Sequence, residues 1–197
     1  TLSLHDALPI FSQSFTLTDA NYWNSYGISL ETLIKFNIFS CSHVFIEKNN
    51  IHYIINYSKS NPVYAYRFND LYKIYRPLGK KEEKWLTNAG SDVLQGYDQL
   101  PKTGDLLILT KSFKDVLAYY ELGYSAVALQ AETNKLDEDI FIDLYNRFDK
   151  IIINFDKDQT GLEGTKKLSE QYNLEYFFIE EAKDLSDLIK LQGIELT

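Results

Sequence analysis

The spacing of hydrophobic positions changes near the middle of the chain and separates a first half rich in short strands from a second half in which strands and helices alternate. In the first half, two short helical patterns lie at residues 19–26 and 29–36, with Asp19 and Ser29 as the expected N-caps. A hairpin turn is expected at residues 48–50. Aromatic and β-branched runs predict the strands of a small antiparallel sheet at residues 42–47, 51–57, 63–68 and 71–75.

The second half has the alternation of a parallel α/β sheet. Apolar runs predict strands at residues 106–109, 126–129, 151–155 and 175–179, and helical patterns lie at residues 112–122, 137–148, 159–172 and 185–191. Strands separated by helices of this length imply right-handed crossovers and a largely parallel sheet with flanking helices. We therefore expect a small α+β domain at residues 13–100 and an α/β domain at residues 101–197.

The first twelve residues are expected to form a tail outside both domains. Residues 1–10 resemble the translation of a common sequencing-adapter oligonucleotide, which would make them a fusion scar. The alternative is an ordinary disordered terminus. Residues 1–12 are therefore kept out of the interpretation of the fold.

Composition and charge narrow the possible functions. The 197 residues are 45% hydrophobic, which suits one large or two small soluble domains, and no apolar run is long enough for a membrane span. Cys41 is the only cysteine and there are three histidines, so neither a disulfide framework nor a zinc ribbon can form, and a reducing, cytoplasmic location is expected. The net charge of −8 means that binding of nucleic acid would need a local basic face.

Two carboxylates follow the most apolar of the predicted strands. Asp156 and Asp158 come directly after the run at residues 151–155, and open α/β sheets bind ligands at the carboxyl ends of their strands. On an extended chain, side chains two positions apart point to the same side, and carboxylates that close repel each other unless a cation lies between them. Oxygen ligands suit Mg²⁺ or Mn²⁺. The pair therefore predicts a divalent-metal site that handles phosphates.

The order and spacing of the acidic residues resemble the Toprim domain, which bacterial-type primases, topoisomerases and some nucleases share. In that family one strand ends in Glu-Gly, the following helix carries an aspartate, and a later strand ends in Asp-x-Asp-x-x-Gly. The matching positions are Asp115 for the helix aspartate, Asp156, Asp158 and Gly161 for the second motif, and Lys183-Asp184 for a weaker third element found in primases.

The first motif departs from the family, because Lys111-Ser112 stand where Glu-Gly is expected. An ammonium group reverses the charge of a position expected to hold a general base or a metal ligand. Lys111 can pair with Asp156 or Asp158 in the place of a cation, or it can contact a nucleotide phosphate as a point charge. The sequence leaves both interpretations open.

The first half resembles the basic subdomain of primase RNA-polymerase cores, and the segments that carry this resemblance are residues 22–29, 71–77, 84–85 and 93–97. Six basic residues stand against three acidic ones between Arg67 and Lys84. The aromatic residues among and beside them are Phe68, Tyr72, Tyr75 and Trp85. Basic groups with stackable rings can bind single-stranded nucleic acid. The resemblance implies that the contacts to template or nucleotide come from Lys73, Arg76, Lys81 and Lys84.

Together these features resemble the RNA-polymerase core of a phage-like, DnaG-type DNA primase. The resemblance implies synthesis of RNA primers on single-stranded DNA from ribonucleoside triphosphates, with a replicative helicase as partner and the bacterial host cytoplasm as the place of action. Mg²⁺ or Mn²⁺ would be held by Asp156, Asp158 and Asp184, and Lys111 and Asp115 would complete the catalytic site. The alternative is a catalytically degenerate Toprim-like module that binds nucleic acid in a replisome. A Toprim nuclease fits the first half less well.

Overall fold

The structure, a computed structural model, describes residues 9–48, 51–130 and 135–193. Most of the predicted tail and most of the predicted hairpin turn (residues 1–8 and 49–50) therefore lie outside the described residues, whereas residues 10–12 belong to a strand. The chain divides into two compact units, one of residues up to Trp23 together with Leu33–Ala89, the other of Asn24–Thr32 together with the residues from Gly90 onward. The domain limits given above stay a prediction.

The first unit contains an antiparallel sheet. Its strands are Ile10–Gln13 (β1), Ile38–Lys48 (β2), Ile51–Asn56 (β3), Tyr64–Phe68 (β4), Leu71–Tyr75 (β5) and Trp85–Thr87 (β6). The order is β1-β2-β4-β5-β6, and β3 pairs with the second half of β2. The four predicted strands are confirmed with shifted ends, and β1 and β6 are additional. The core between the strands includes Cys41, Val44, Val63, Ala65, Ile74 and Leu86, all buried.

Two helices, Leu17–Asn24 (α1) and Leu30–Lys35 (α2), lie between β1 and β2 in the sequence. Ser29 is the N-cap of α2, as predicted, and accepts a hydrogen bond from the Thr32 amide. Asp19 is not an N-cap, because α1 already begins at Leu17. The Asp19 carboxylate instead accepts from the backbone amide of Thr16, whose hydroxyl accepts from the Asp19 amide. This reciprocal pair is a capping box.

The second unit contains a four-stranded parallel sheet in the order β10-β9-β7-β8. Its strands are Gly104–Thr110 (β7), Ser125–Ala128 (β8), Phe148–Ile153 (β9) and Glu175–Tyr176 (β10), and its helices are Phe113–Glu121 (α3), Glu138–Arg147 (α4), Gln159–Tyr172 (α5) and Leu185–Gln192 (α6). The predicted parallel sheet with flanking helices is confirmed. None of the helices in the described part of the chain has the length and apolar character of a membrane span.

Strand β9 ends at Ile153, two residues earlier than predicted, and the next residue, Asn154, bonds to its neighbours through its side chain as well as through its backbone amide, which donates to the carbonyl of Leu109. Its Oδ1 accepts from the Tyr119 hydroxyl at 2.6 Å, and its Nδ2 donates to the carbonyl of Phe177 at 3.2 Å. The Phe177 carbonyl thus accepts a hydrogen bond from a side chain. Strand β10 ends at Tyr176 and does not continue to residue 179 as predicted. Asn154 thus fixes the point where the chain leaves the sheet, just before Asp156.

Candidate functional site

The site lies at the carboxyl ends of the two central strands of the second unit. In the register of β7 and β9, Leu109 is opposite Ile153, so both strands end at the same level. Lys111 follows β7 directly, and Asp156 comes three residues after the end of β9. Adjacent parallel strands that end together form the crevice in which open α/β sheets bind ligands.

Two lysine ammonium groups contact the same carboxylate oxygen of Asp156. Its Oδ2 contacts Nζ of Lys111 and, at 3.2 Å, Nζ of Lys183. The Asp156 side chain is 1% exposed, that of Lys111 19% and that of Lys183 57%. The other oxygen, Oδ1, is buried and accepts no hydrogen bond from the described residues. Of the two interpretations of Lys111, the ion pair with Asp156 is therefore the observed one. We call these three residues the lysine–aspartate cluster.

Burial dominates the electrostatics of the cluster. It raises the pKa of Asp156, and the two ammonium groups only partly offset this effect. Partial burial is the largest single effect on Lys183 and would lower its pKa, but the hydrogen bond to Asp156 and the charges of Asp156, Asp158 and Asp184 together outweigh it, so that this pKa is raised. The Asp156–Lys183 attraction therefore keeps Lys183 charged over a wider pH range than a free lysine.

The two other predicted metal ligands cap helices. Asp158 is the N-cap of α5, where its Oδ1 accepts from the Gly161 amide at 3.0 Å, and this bond lowers the pKa of Asp158. Asp184 is the N-cap of α6 and accepts from the Asp187 amide at 2.8 Å. The extended chain assumed in the sequence argument already stops at Ile153. Asp156 and Asp158 consequently have different partners instead of sharing one cation.

Asp115 joins the starts of two helices. It is 1% exposed, accepts from the hydroxyl of Ser112, the N-cap of α3, and accepts from the backbone amide of Ser186 in the first turn of α6 at 3.1 Å. Burial, followed by the charge of Asp184, raises the pKa of Asp115 to about 6. With both oxygens bound inside the protein, Asp115 positions α3 and α6.

The acidic residues do not fit a divalent cation in this arrangement. Among residues 9–48, 51–130 and 135–193, no three His, Cys, Asp or Glu side chains lie close enough together to hold a metal ion. Oδ2 of Asp156 is taken up by two ammonium groups, while Asp158 and Asp184 each bind backbone amides of their helices. An ion at Asp156 would first have to displace both lysines.

A second cluster lies in the first unit. Nζ of Lys73 is 4.9 Å from the ring centroid of Trp85, and Nζ of Lys84 is 5.8 Å from that of Tyr75. The Tyr75 and Trp85 rings stack at 4.1 Å with an interplanar angle of 14°. Burial lowers the pKa of Lys73 to about 8, so this lysine stays charged at neutral pH at a cost in stability. These four residues are called the basic-aromatic cluster.

The other predicted contacts of the first unit have different surroundings. Arg76 forms an ion pair with Glu83 at 3.3 Å, whereas Lys81 is exposed on a short turn. Phe68 and Tyr75 are buried, so they cannot stack on a base, and the expectation of four stacking rings is wrong for these two. Trp85, 39% exposed, retains an accessible ring.

Lys183 is the functional candidate that sequence reasoning missed. The sequence places Lys183 only beside Asp184, and the spacing along the chain gives no sign that it reaches Asp156. A usable signal was available nonetheless: Lys111 and Lys183 each directly precede the N-cap of a helix. Two side chains that directly precede helix N-caps at the same edge of a sheet can lie close to each other, as Lys111 and Lys183 do at Asp156.

Comparison with known proteins identifies the class of the second unit. Residues 108–189 match the family model described as Toprim-like. This segment spans β7 to α6 and includes every residue of the lysine–aspartate cluster. The second unit therefore has a Toprim-like fold, as the sequence predicted. No curated protein sequence matches the chain.

Solved structures extend the likeness to both units. The DnaG catalytic core matches with a TM-score of 0.71 and 17% identity over 93% of this chain and 71% of that one. A DnaG primase catalytic domain bound to single-stranded DNA matches with a TM-score of 0.68 and 16% identity over 98% and 73%. The primase fragment of the bacteriophage T7 primase-helicase protein matches with a TM-score of 0.60 and 18% identity over 98% and 78%. The chain has the fold of a DnaG-like Toprim primase core, which confirms the resemblance inferred from its motifs.

Proposed function

We propose that this chain is the RNA-polymerase core of a primase in phage-like DNA replication, which joins ribonucleoside triphosphates into an RNA primer on a single-stranded DNA template. The observation that carries the proposal is the extent of the structural match, since the primase-core fold covers 93–98% of the chain and includes both units. A Toprim-like domain alone is compatible with other activities. The strand-rich first unit is what favours a primase.

The two predicted domains would have different roles, one in binding the template and the other in binding the nucleotide. The basic-aromatic cluster, in the domain at residues 13–100, would bind the template, with the ring of Trp85 stacking on a base and Lys73 and Lys84 near the phosphates. Arg76 and Lys81 would add contacts to template or nucleotide at the same domain. The cost of keeping Lys73 charged and buried supports a binding role for it, because an apolar residue would be more stable there.

The domain at residues 101–197 would bind the nucleotide beside the lysine–aspartate cluster. Lys111 and Asp156 would lie close to the reacting phosphate, while Asp115 would act as a positioning residue that holds the starts of α3 and α6. The Mg²⁺ or Mn²⁺ expected at Asp156, Asp158 and Asp184 stays a prediction. No step is assigned to it, because both lysines occupy Asp156.

The setting of this function is part of the proposal. Replication on a single-stranded template would place the chain beside a replicative helicase in the cytoplasm of a bacterial host. One of the matching structures is a fragment of a primase-helicase protein, which is consistent with such a partner.

A second candidate function is a catalytically degenerate module that binds nucleic acid within a replisome. The observation that favours it is the double ion pair at Asp156, which fills the place where the family would hold a cation. Such a module would keep the affinity of the basic-aromatic cluster for single-stranded DNA and would form no phosphodiester bond.

Primer synthesis distinguishes the two candidates. The chain would be incubated with single-stranded DNA, radiolabelled ribonucleoside triphosphates and either Mg²⁺ or Mn²⁺, and RNA products would be resolved on a gel. A primase gives short RNA that is lost in Asp156→Asn, while DNA affinity, measured by fluorescence anisotropy, is unchanged in that variant. Lys150→Met, which removes an ion-paired lysine outside the cluster, is the matched control. DNA binding without any RNA product would replace the first candidate with the second.

A further inference from the structure

We propose that Lys111 and Lys183 take the place of a divalent cation at Asp156 and bind a phosphate group of a nucleotide or nucleic-acid strand without metal. This inference rests on the proposed function, because it names the ligand chemistry of the same site. It goes beyond that function in assigning Lys183 to the site and in replacing the metal by two side chains.

The charge of the cluster is that of a carboxylate with a bound divalent ion. One carboxylate and two ammonium groups sum to +1, and so do one carboxylate and one Mg²⁺. A Lys ammonium has three N–H donors, and Asp156 accepts from both lysines on a single oxygen. Lys183, with 57% of its side chain exposed, can present donors to a ligand in the solvent-filled part of the crevice. Phosphate oxygens are strong acceptors of such charge-assisted bonds.

Burial holds the arrangement in place. Asp156 is almost inaccessible and Lys111 is four-fifths buried, so their ion pair is shielded from water and is weakened little by salt. A cation that displaced the lysines would have to break the ion pair between Asp156 and Lys111, both of which are largely buried. Separating a buried pair in this way is strongly unfavourable. The cluster therefore excludes the cation whose charge it reproduces.

The backbone adds to the positive potential. Lys111 precedes Ser112, the N-cap of α3, and Lys183 precedes Asp184, the N-cap of α6. Helix N-termini carry partial positive charge and favour anions. The capping carboxylate of Asp184 offsets part of this effect at α6, and the carboxylate of Asp115, in the first turn of α3, offsets part of it at α3. The two lysines thus supply the larger part of the attraction, and the helices direct them to one place.

Binding without metal is the first test. Tripolyphosphate, ATP and an oligothymidylate would each be titrated by calorimetry into the full chain in the presence of EDTA. Lys183→Met is expected to weaken binding by about tenfold or more, since one charge-assisted bond is lost, and Lys150→Met is the matched control with a similarly exposed, ion-paired lysine. Loss for tripolyphosphate and ATP assigns the site to a triphosphate, and loss for the oligothymidylate alone assigns it to a strand. An unchanged affinity of Lys183→Met for all three ligands overturns the proposal.

Binding of metal is the second test. Mn²⁺ would be titrated into the wild-type chain, Asp156→Asn, and the double variant Lys111→Glu/Lys183→Met. We expect no Asp156-dependent Mn²⁺ binding in the wild type and saturable binding in the double variant that disappears when Asp156→Asn is added. Saturable wild-type binding that is lost in Asp156→Asn refutes the exclusion of the cation. Circular dichroism checks that each variant folds, and the exposed Lys183 keeps the first test decisive where Lys111 variants do not fold.

The failures of the two proposals have different signatures. A chain that binds triphosphate in EDTA but makes no primer keeps this inference and loses the primase activity. A chain that makes primer and binds Mn²⁺ through Asp156 keeps the activity and loses the inference.

Discussion

Replacing Lys73 by methionine is expected to stabilise the protein while it weakens DNA binding. Burial lowers the pKa of Lys73 from 10.5 to about 8, so at pH 7 the folded state carries a charge that water would solvate better. Methionine has nearly the length of the lysine stem and no charge, and it removes this cost. The variant therefore tests two consequences of the charge together, its cost in the folded state and its contribution to DNA binding.

The magnitude follows from the pKa difference and from the contact with Trp85. A lowering from 10.5 to about 8 corresponds to about 3 kcal/mol at pH 7. The cation–π contact of Lys73 with Trp85, at 4.9 Å, offsets about 1 kcal/mol of this. We therefore expect Lys73→Met to raise the free energy of unfolding by about 1–2 kcal/mol at pH 7.

The sign of the pH dependence is fixed by the direction of the shift. Because the folded-state pKa lies below the unfolded one, the unfolded state binds more protons between pH 8 and 10.5, and the wild type gains stability as the pH rises through this window. Urea unfolding can be followed by circular dichroism at pH 7 and at pH 10. The difference in free energy of unfolding between Lys73→Met and the wild type should fall to less than about 1 kcal/mol at pH 10. Lys80→Met, which replaces an exposed lysine outside the basic-aromatic cluster, is the control. A constant difference between Lys73→Met and the wild type would refute the burial argument.

Three further variants test individual contacts. Asp19→Ala removes a buried carboxylate that accepts from two tyrosine hydroxyls and from the capping box, and should lower stability by about 3 kcal/mol in thermal unfolding; a loss below about 1 kcal/mol would contradict this. Gly96→Ala would place a Cβ 2.7 Å from Cγ1 of Val116 at a φ of +86°, and it should lower the free energy of unfolding by about 2 kcal/mol or more. The control is Gly123→Ala, where φ is +83° and nothing lies within 4 Å of the added Cβ. Its loss of stability should be clearly smaller. Trp85→Ala should weaken oligothymidylate binding about tenfold or more in anisotropy, and Trp85→Phe should restore part of it; equal affinities would exclude stacking on this ring.

Local pattern predicted the elements of both units, and it was wrong where a side chain redirects the backbone. The apolar run predicts a strand up to residue 155, whereas β9 ends at Ile153 and is followed by Asn154, whose side chain bonds to Tyr119 and Phe177. The assignment of Asp19 as an N-cap was off by one turn, because both Thr16 and Asp19 are capping residues and the reciprocal bond needs both. Hydrophobic periodicity carries no information on such hydrogen bonds.

The candidate site was predictable in its location and not in its partners. Strand-end position was enough to select Lys111 and Asp156, since both follow central strands of the same sheet. Their pairing was one of two open interpretations, and the sequence did not distinguish them. Lys183 comes from a distant helix start, and only the packing of α6 beside α3, fixed by Asp115, brings it to Asp156. Contacts of this kind depend on tertiary structure.

The hydrogen bond between Asp115 and the first turn of α6 links the two helix starts that carry Lys111 and Lys183. Each lysine precedes the start of its helix, and one carboxylate holds both starts. Replacing Asp115 should therefore disturb the positions of both lysines at Asp156. Because both lysines contact the same oxygen of Asp156, the effects of their replacements on phosphate binding should be non-additive.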